Sequence, residues 1–195
     1  MKWDKKLEMN LRYREANMNK KIYFIRHAKS VANKEFQLAL SPDSPLHDEG
    51  KIESTKVLKR LKTIPFDIII SSDIKRSKET AEILAGKNKK HIVYSELFRE
   101  VGDDEPFQHF RKRVLKAKEY IEGLEYEKVL IVTHGQFMKM FLANILEAKL
   151  TETKYKKIHD FFRVVNTGIS VFNCNSNGKF KGWQLRSWNE HGHLD

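Results

Sequence analysis

The amino-acid sequence predicts an α/β fold, a three-layer sandwich in which a mixed but mainly parallel sheet carries helices on both faces. Three observations predict it. Apolar runs of strand length at Lys21–Ile25, Phe66–Ile70 and Lys128–Val132 are separated by stretches of helical periodicity. Each run opens onto a cluster of polar residues, which is where open parallel sheets place their ligands. Across the 195 residues there is no internal repeat, low-complexity linker or break in composition, so a single domain is expected over 21–195.

The elements follow in order. Residues 1–20 are polar and basic, with Trp3, Leu7 and Leu11 spaced four apart, enough for a short amphipathic helix that is marginal alone. They read as an N-terminal extension, because Met18-Asn19-Lys20-Lys21 resembles the true start of such a domain. The first strand then delivers Arg26-His27-Ala28-Lys29-Ser30 into a loop. A turn-rich Ser41–Pro45 precedes a helix over about 48–62, with Ile52, Val57, Leu58 and Leu61 on its apolar face and Pro65 closing the segment. The second strand runs into Ser71-Ser72-Asp73-Ile74-Lys75-Arg76-Ser77 and a helix carrying Ala81, Ile83, Leu84 and Ala85. A short strand over His91–Tyr94 leads to Leu97-Phe98-Arg99-Glu100 and an acidic turn, Gly102 to Pro106. A helix over 107–122 buries Phe110, Val114, Ala117 and Ile121. The third strong strand opens onto Thr133-His134-Gly135-Gln136 and a helix over 137–147. Ile169–Phe172 and Gly182–Leu185 read as a hairpin across an Asn- and Gly-rich connection.

Composition narrows the function classes. Cys174 is the only cysteine, so no internal disulfide can form; it reads as a small packed hydrophobe, and a cytoplasmic location is the simplest expectation. No apolar run approaches the roughly 20 residues of a membrane span, and no signal-like segment stands near the start, so no membrane partner is expected. The net charge of +11 raises nucleic acid as a partner. The basic residues are spread along the chain, without a zinc-finger, RNA-recognition or helix-turn-helix pattern, so no nucleic acid is expected and the surface suits small anions.

Parallel strands bring the three polar clusters to one edge, gathering Arg26, His27, Arg76 and His134. Cations so grouped repel unless an anion lies between them, and phosphate is the obvious one. Arg26-His27, Asn33, the block from Ser71 through Arg76 to Thr80-Ala81, Thr133-His134-Gly135, and the tail with Asn166-Thr167-Gly168 and Trp188-Asn189 to His193-Leu194 all resemble, in order, motifs of the histidine phosphatase superfamily, the phosphoglycerate mutase-like enzymes. The likeness runs from Lys21 to Leu194.

That resemblance implies hydrolysis of small phosphomonoesters through a phosphohistidine on His27, releasing inorganic phosphate. Arg26, Arg76, Asn33 and His134 would bind the phosphate, His134 also serving catalysis as a protonated donor. His27 would need its other ring nitrogen held, conventionally by a backbone carbonyl. Glu100 matches the family's acid-base glutamate; because the usual downstream pattern is replaced by Gly102-Asp103-Asp104-Glu105, Asp103 or Glu105 could hold that role instead. No cofactor is implied, and no carboxylate cluster has metal-ligand spacing, so no metal is expected. Ala28 stands in place of the usual glycine, Lys29 puts an extra cation near the pocket, His47 stands at the first helix's entrance, and Gln37 could be a substrate-loop residue. The short segment after Glu100 predicts an open pocket. The alternatives are a mutase-type phosphotransferase, a phosphohistidine protein phosphatase, and a non-catalytic phosphate-binding module.

Overall fold

The computed structural model describes residues 19–34, 44–86, 91–175 and 181–195. The possible helix at Trp3–Leu11 and the Gln37 position lie outside these residues. Six strands form one sheet in the order β3-β2-β4-β1-β5-β6, where β1 is Asn19–Arg26, β2 Ile68–Ser72, β3 Ile92–Ser95, β4 Lys128–Thr133, β5 Ile169–Asn175 and β6 Gly182–Glu190. β3, β2, β4 and β1 run parallel, while β5 and β6 add antiparallel strands at one side. The expected mixed, mainly parallel sheet is what forms.

The helices are α1 (Val31–Lys34), α2 (Asp48–Leu61), α3 (Lys75–Ala85), α4 (Phe107–Glu122), α5 (Gly135–Leu146) and α6 (Glu152–Phe161). Alternation along β1 divides the core in two. Ile22 and Phe24 join Phe110, Val114, Phe137 and Phe141 beneath α4 and α5. Tyr23 and Ile25 join Val57, Leu61, Ala81 and Leu84 beneath α2 and α3. Aromatic packing centres on Phe24, whose ring lies 4.7 Å from Phe141 and 5.7 Å from Phe172. Cys174 is buried, as a packed hydrophobe should be.

Three elements differ from their expected form. Ile52 is 61% exposed, and the buried stripe of α2 is Gly50, Ser54, Val57 and Leu61. Gly50 is required there, because a Cβ would come within 2.1 Å of the Lys29 carbonyl in the loop after β1. α5 begins two residues early, directly after His134 at its N-cap. α6 is an addition to the expected elements; none of its residues is fully buried, although its apolar positions share one face as regularly as those of the other helices. Its signal was present in Thr151, whose side chain accepts from the Lys154 backbone N–H, and in the spacing of Tyr155 and Ile158. Among the described residues no helix is long and apolar enough to cross a membrane.

Candidate active site

Register assembles the site. β1 and β4 pair in parallel with Arg26 opposite Thr133, so the next residue of each strand, His27 and His134, leaves the sheet at the same place. The His27 backbone N–H donates to the Thr133 carbonyl at 2.8 Å, and the imidazole centroids are 5.1 Å apart. β2, on the other side of β4, supplies Ser72 and, through α3, Arg76. Four residues expected to converge do so.

Both nitrogens of His27 are assigned by their partners. Nδ1 lies 2.8 Å from the Ala28 carbonyl, which can only accept, so Nδ1 carries the proton. Nε2 accepts from Arg76 Nε at 3.1 Å, which is the job of a lone pair. His27 is 2% exposed, and burial, then Arg26 and Arg76, hold its pKa well below the ordinary histidine value, against a smaller opposing effect of the Ala28 bond. The ring is neutral and its free lone pair faces the arginine.

The neighbours hold this arrangement. The Ala28 N–H donates to Thr80 Oγ1 at 3.1 Å, and Thr80 in turn bonds the Arg76 carbonyl at 2.7 Å, tying the loop after β1 to α3. Arg76 is 1% exposed. His134 Nδ1 faces Arg76 Nη2 at 3.4 Å and therefore accepts, leaving Nε2–H for Ser72 Oγ at 2.9 Å and Ser77 Oγ at 3.2 Å. Burial, His27 and the arginines depress its pKa well below the histidine norm, so among protein groups alone His134 is neutral. The cationic form expected from sequence requires an anion beside it.

Arg26 reaches the Val164 carbonyl with Nη1 at 2.8 Å, while its Nε is buried without a partner among the described residues. An orphaned buried donor of this kind is costly unless a ligand oxygen meets it. Asn33 Oδ1 accepts from the Ser30 N–H at 3.2 Å and from Asn166 Nδ2 at 3.3 Å, which orients its own Nδ2 as a donor. Asn166 also bonds the His27 carbonyl at 2.9 Å.

Glu100 lies at the N-terminus of α5, where its carboxylate accepts from Gln136 N at 3.2 Å and Phe137 N at 3.1 Å. Burial raises its pKa and outweighs these bonds and the nearby Arg26 and Arg76, which favour the charged form. The two alternative acids are placed elsewhere. Asp103 is exposed. Glu105 is gripped by Arg113 at 2.6 and 2.9 Å; burial raises its pKa, but the arginine prevails and leaves it lowered. Arg113, which sequence reasoning missed, also donates to the carbonyls of Leu97, Arg99 and Glu100 at 3.2, 2.8 and 3.0 Å, fastening the segment that presents Glu100. Nothing in the sequence marked it, because its role depends on α4 lying across that loop.

Lys29 is not a pocket cation. Its ammonium pairs with Glu49 and its backbone N–H donates to Glu53 at 2.8 Å, so α2 takes it away from the site. His47 caps α2, accepting from the Glu49 N–H at 3.3 Å. Among the described residues no group of three or more His, Cys, Asp or Glu is placed to hold a metal ion.

The two buried neutral imidazoles make a stability prediction. The unfolded chain binds more protons below about pH 6.5 than the folded one, so stability is intact above that value and is lost as pH falls. Tm should drop between pH 7 and 5, with a shallower slope in a His27→Asn, His134→Gln double variant. An unchanged slope would mean that other groups govern acid unfolding.

Fold and site together describe an α/β domain that gathers two histidines and two arginines at one edge of its sheet. The chain belongs to the histidine phosphatase superfamily (branch 1), whose family model matches residues 22–105 and 102–191. A probable phosphatase of Schizosaccharomyces pombe is 27% identical over 185 residues, covering 81% of this chain and 88% of that protein. The α-ribazole phosphatase of Shigella flexneri shares the fold with a TM-score of 0.72 at 20% identity, over 88% of this chain and 96% of that one. The phosphoglycerate mutase of Bacillus anthracis str. Sterne shares it at 0.75 and 17% identity, over 92% and 97%. The phosphoglycerate mutase-like architecture expected from sequence is thereby established.

Proposed function

We propose that this chain is a phosphatase that hydrolyses small phosphomonoesters through a phosphohistidine on His27. The observation that carries the reading is the pair of bonds to His27, Nδ1–H to the Ala28 carbonyl and Arg76 Nε to Nε2, which leaves the nucleophilic lone pair directed at a guanidinium. Phosphate oxygens would replace Nε2 as the acceptor for Arg76 and meet the orphaned Arg26 Nε, with Asn33 Nδ2 as a neutral donor.

The steps balance with this chain's own groups. The Nε2 lone pair attacks phosphorus, the bond to the ester oxygen breaks with its electron pair, and the protonated Glu100 gives that oxygen a proton. Glu100, now a carboxylate, takes a proton from water, whose oxygen displaces Nε2 and releases inorganic phosphate. The raised pKa of Glu100 suits a group that must begin protonated. The phosphatase names of relatives agree with hydrolysis, and the mutase among the shared folds keeps phosphoryl transfer as the alternative outcome.

The test is hydrolysis of p-nitrophenyl phosphate and a panel of alkyl phosphates with EDTA present. Turnover that survives EDTA is expected. Turnover lost to EDTA and restored by a divalent metal would overturn the metal-independent reading, and phosphoryl transfer between phosphoglycerates without net hydrolysis would establish a mutase.

A further inference from the structure

A cavity of about 470 Å³ opens between α4, α5 and α6 beside Glu100. Two of its lining residues tie it to the chemistry. Val101 follows Glu100 directly, and Gln136 is the residue whose backbone N–H donates to the Glu100 carboxylate. Its size is in the range of small-molecule sites. α6 contributes a wall that the short segment after Glu100 does not supply.

Part of the lining is apolar and aromatic, formed by Val101, Phe107, Phe110 and Tyr155. The Phe107 and Tyr155 rings stand 5.7 Å apart at 43°. Among its polar groups, the Tyr155 hydroxyl donates to Gln136 Oε1 at 3.1 Å, which holds both side chains in place. Of the charged residues that line it, Glu105, His159 and Asp160 are held by partners. Glu105 is chelated by Arg113. Lys139 donates to the His159 carbonyl at 2.8 Å, and His159 pairs with Asp160 at 2.9 Å. On α6, Lys156 stands one turn from both Glu152 and Asp160, so that helix brings two carboxylates and one ammonium to the lining. A substrate carrying a second carboxylate or phosphate would meet more acid than base here.

We infer that this cavity is the leaving-group subsite, and that it takes monoesters of uncharged, ring-bearing alcohols in preference to acidic substrates of the phosphoglycerate kind. The inference rests on the reading above, in which phosphate lies against His27 and Glu100 protonates the departing oxygen. An aromatic ring laid against the Phe107–Tyr155 pair gains buried apolar area, whereas a carboxylate there faces Glu152 and Asp160 with only Lys156 to offset them.

The experiment measures calorimetric binding of benzylphosphonate, methylphosphonate and phosphonoacetate to wild type, Phe107→Ala and Tyr155→Ala, with turnover of benzyl phosphate and ethyl phosphate run in parallel. The two esters have leaving groups of similar basicity, so a difference between them reports the subsite and not the chemistry. Benzylphosphonate should bind wild type about tenfold or more tighter than methylphosphonate, with phosphonoacetate the weakest. Either substitution should remove most of that advantage and leave methylphosphonate binding within about twofold. Equal binding of the first two ligands, tightest binding of phosphonoacetate, or an equal loss for all ligands in both variants would overturn the proposal. Benzyl-selective binding without turnover would leave the subsite standing and sink the phosphatase reading; turnover without selectivity would do the reverse.

Discussion

Substituting alanine for His27 is expected to lower kcat by at least about 10⁴-fold while inorganic phosphate still binds, because the variant removes the nucleophile and leaves Arg26, Arg76 and Asn33 in place. Among the described residues, neither the adjacent Ser30 nor Cys174 can substitute. Ser30 is fully buried with its hydroxyl donating to Asn33 Oδ1 at 3.0 Å. Cys174 lies in the core on β5, where burial pushes its thiol up to about 11. Stopped-flow release of p-nitrophenol and calorimetry with phosphate check both halves of the expectation. Residual turnover near wild type would place the nucleophile elsewhere; loss of phosphate binding as well would show that the variant had collapsed the site.

The second large effect is expected at Glu100, and its size should depend on the ester. A Glu100→Gln variant keeps an acceptor for the α5 N–H groups but has no proton to give. Loss of a positioned acid costs about 10²- to 10⁴-fold. That loss should be felt fully on ethyl or benzyl phosphate, whose alkoxides are poor leaving groups, and far less on p-nitrophenyl phosphate in the first step. The pH profile separates this from simple damage. Burial holds the Glu100 carboxyl above its ordinary pKa, so the protonated donor persists into a less acidic range, and alkyl ester turnover falls as pH rises through that raised value. Glu100→Gln should remove this alkaline limb. Arg113→Ala should show the same dependence on leaving group in weaker form, since Arg113 acts through the Glu100 carbonyl and its two neighbours. Equal loss on all esters with the limb intact would assign the acid to another group.

The strands and the convergence of Arg26, His27, Arg76 and His134 were legible because they depend on local rules. Apolar runs that end in polar clusters mark strand ends, and parallel pairing brings those ends together. What could not be read was whatever depends on side chains meeting across elements. Lys29 looked like a pocket cation because it follows His27, yet the close approach of α2 at Gly50 hands it to Glu49. Glu105 stayed open as an alternative to Glu100 because the downstream pattern departs from the family's, and it is Arg113 on α4 that takes Glu105 up while Glu100 meets the α5 N–H groups. α6 was legible in principle, since its apolar periodicity matches that of the other helices and Thr151 caps it, although it lines a cavity and buries no complete side chain. The neutral state of His134 likewise follows from burial and from His27 and the arginines, which other strands and helices bring beside it.

The most direct measurement is to trap the intermediate. Wild type and Glu100→Gln are mixed with excess p-nitrophenyl phosphate, quenched in alkali, where phosphohistidine survives, and digested for peptide mass spectrometry. The account predicts an acid-labile phosphoryl group on the peptide containing His27, accumulating further in Glu100→Gln because water is no longer activated to remove it. Turnover with no phosphorylated histidine in either protein, or with the phosphoryl group on another residue, would contradict the central role given to His27.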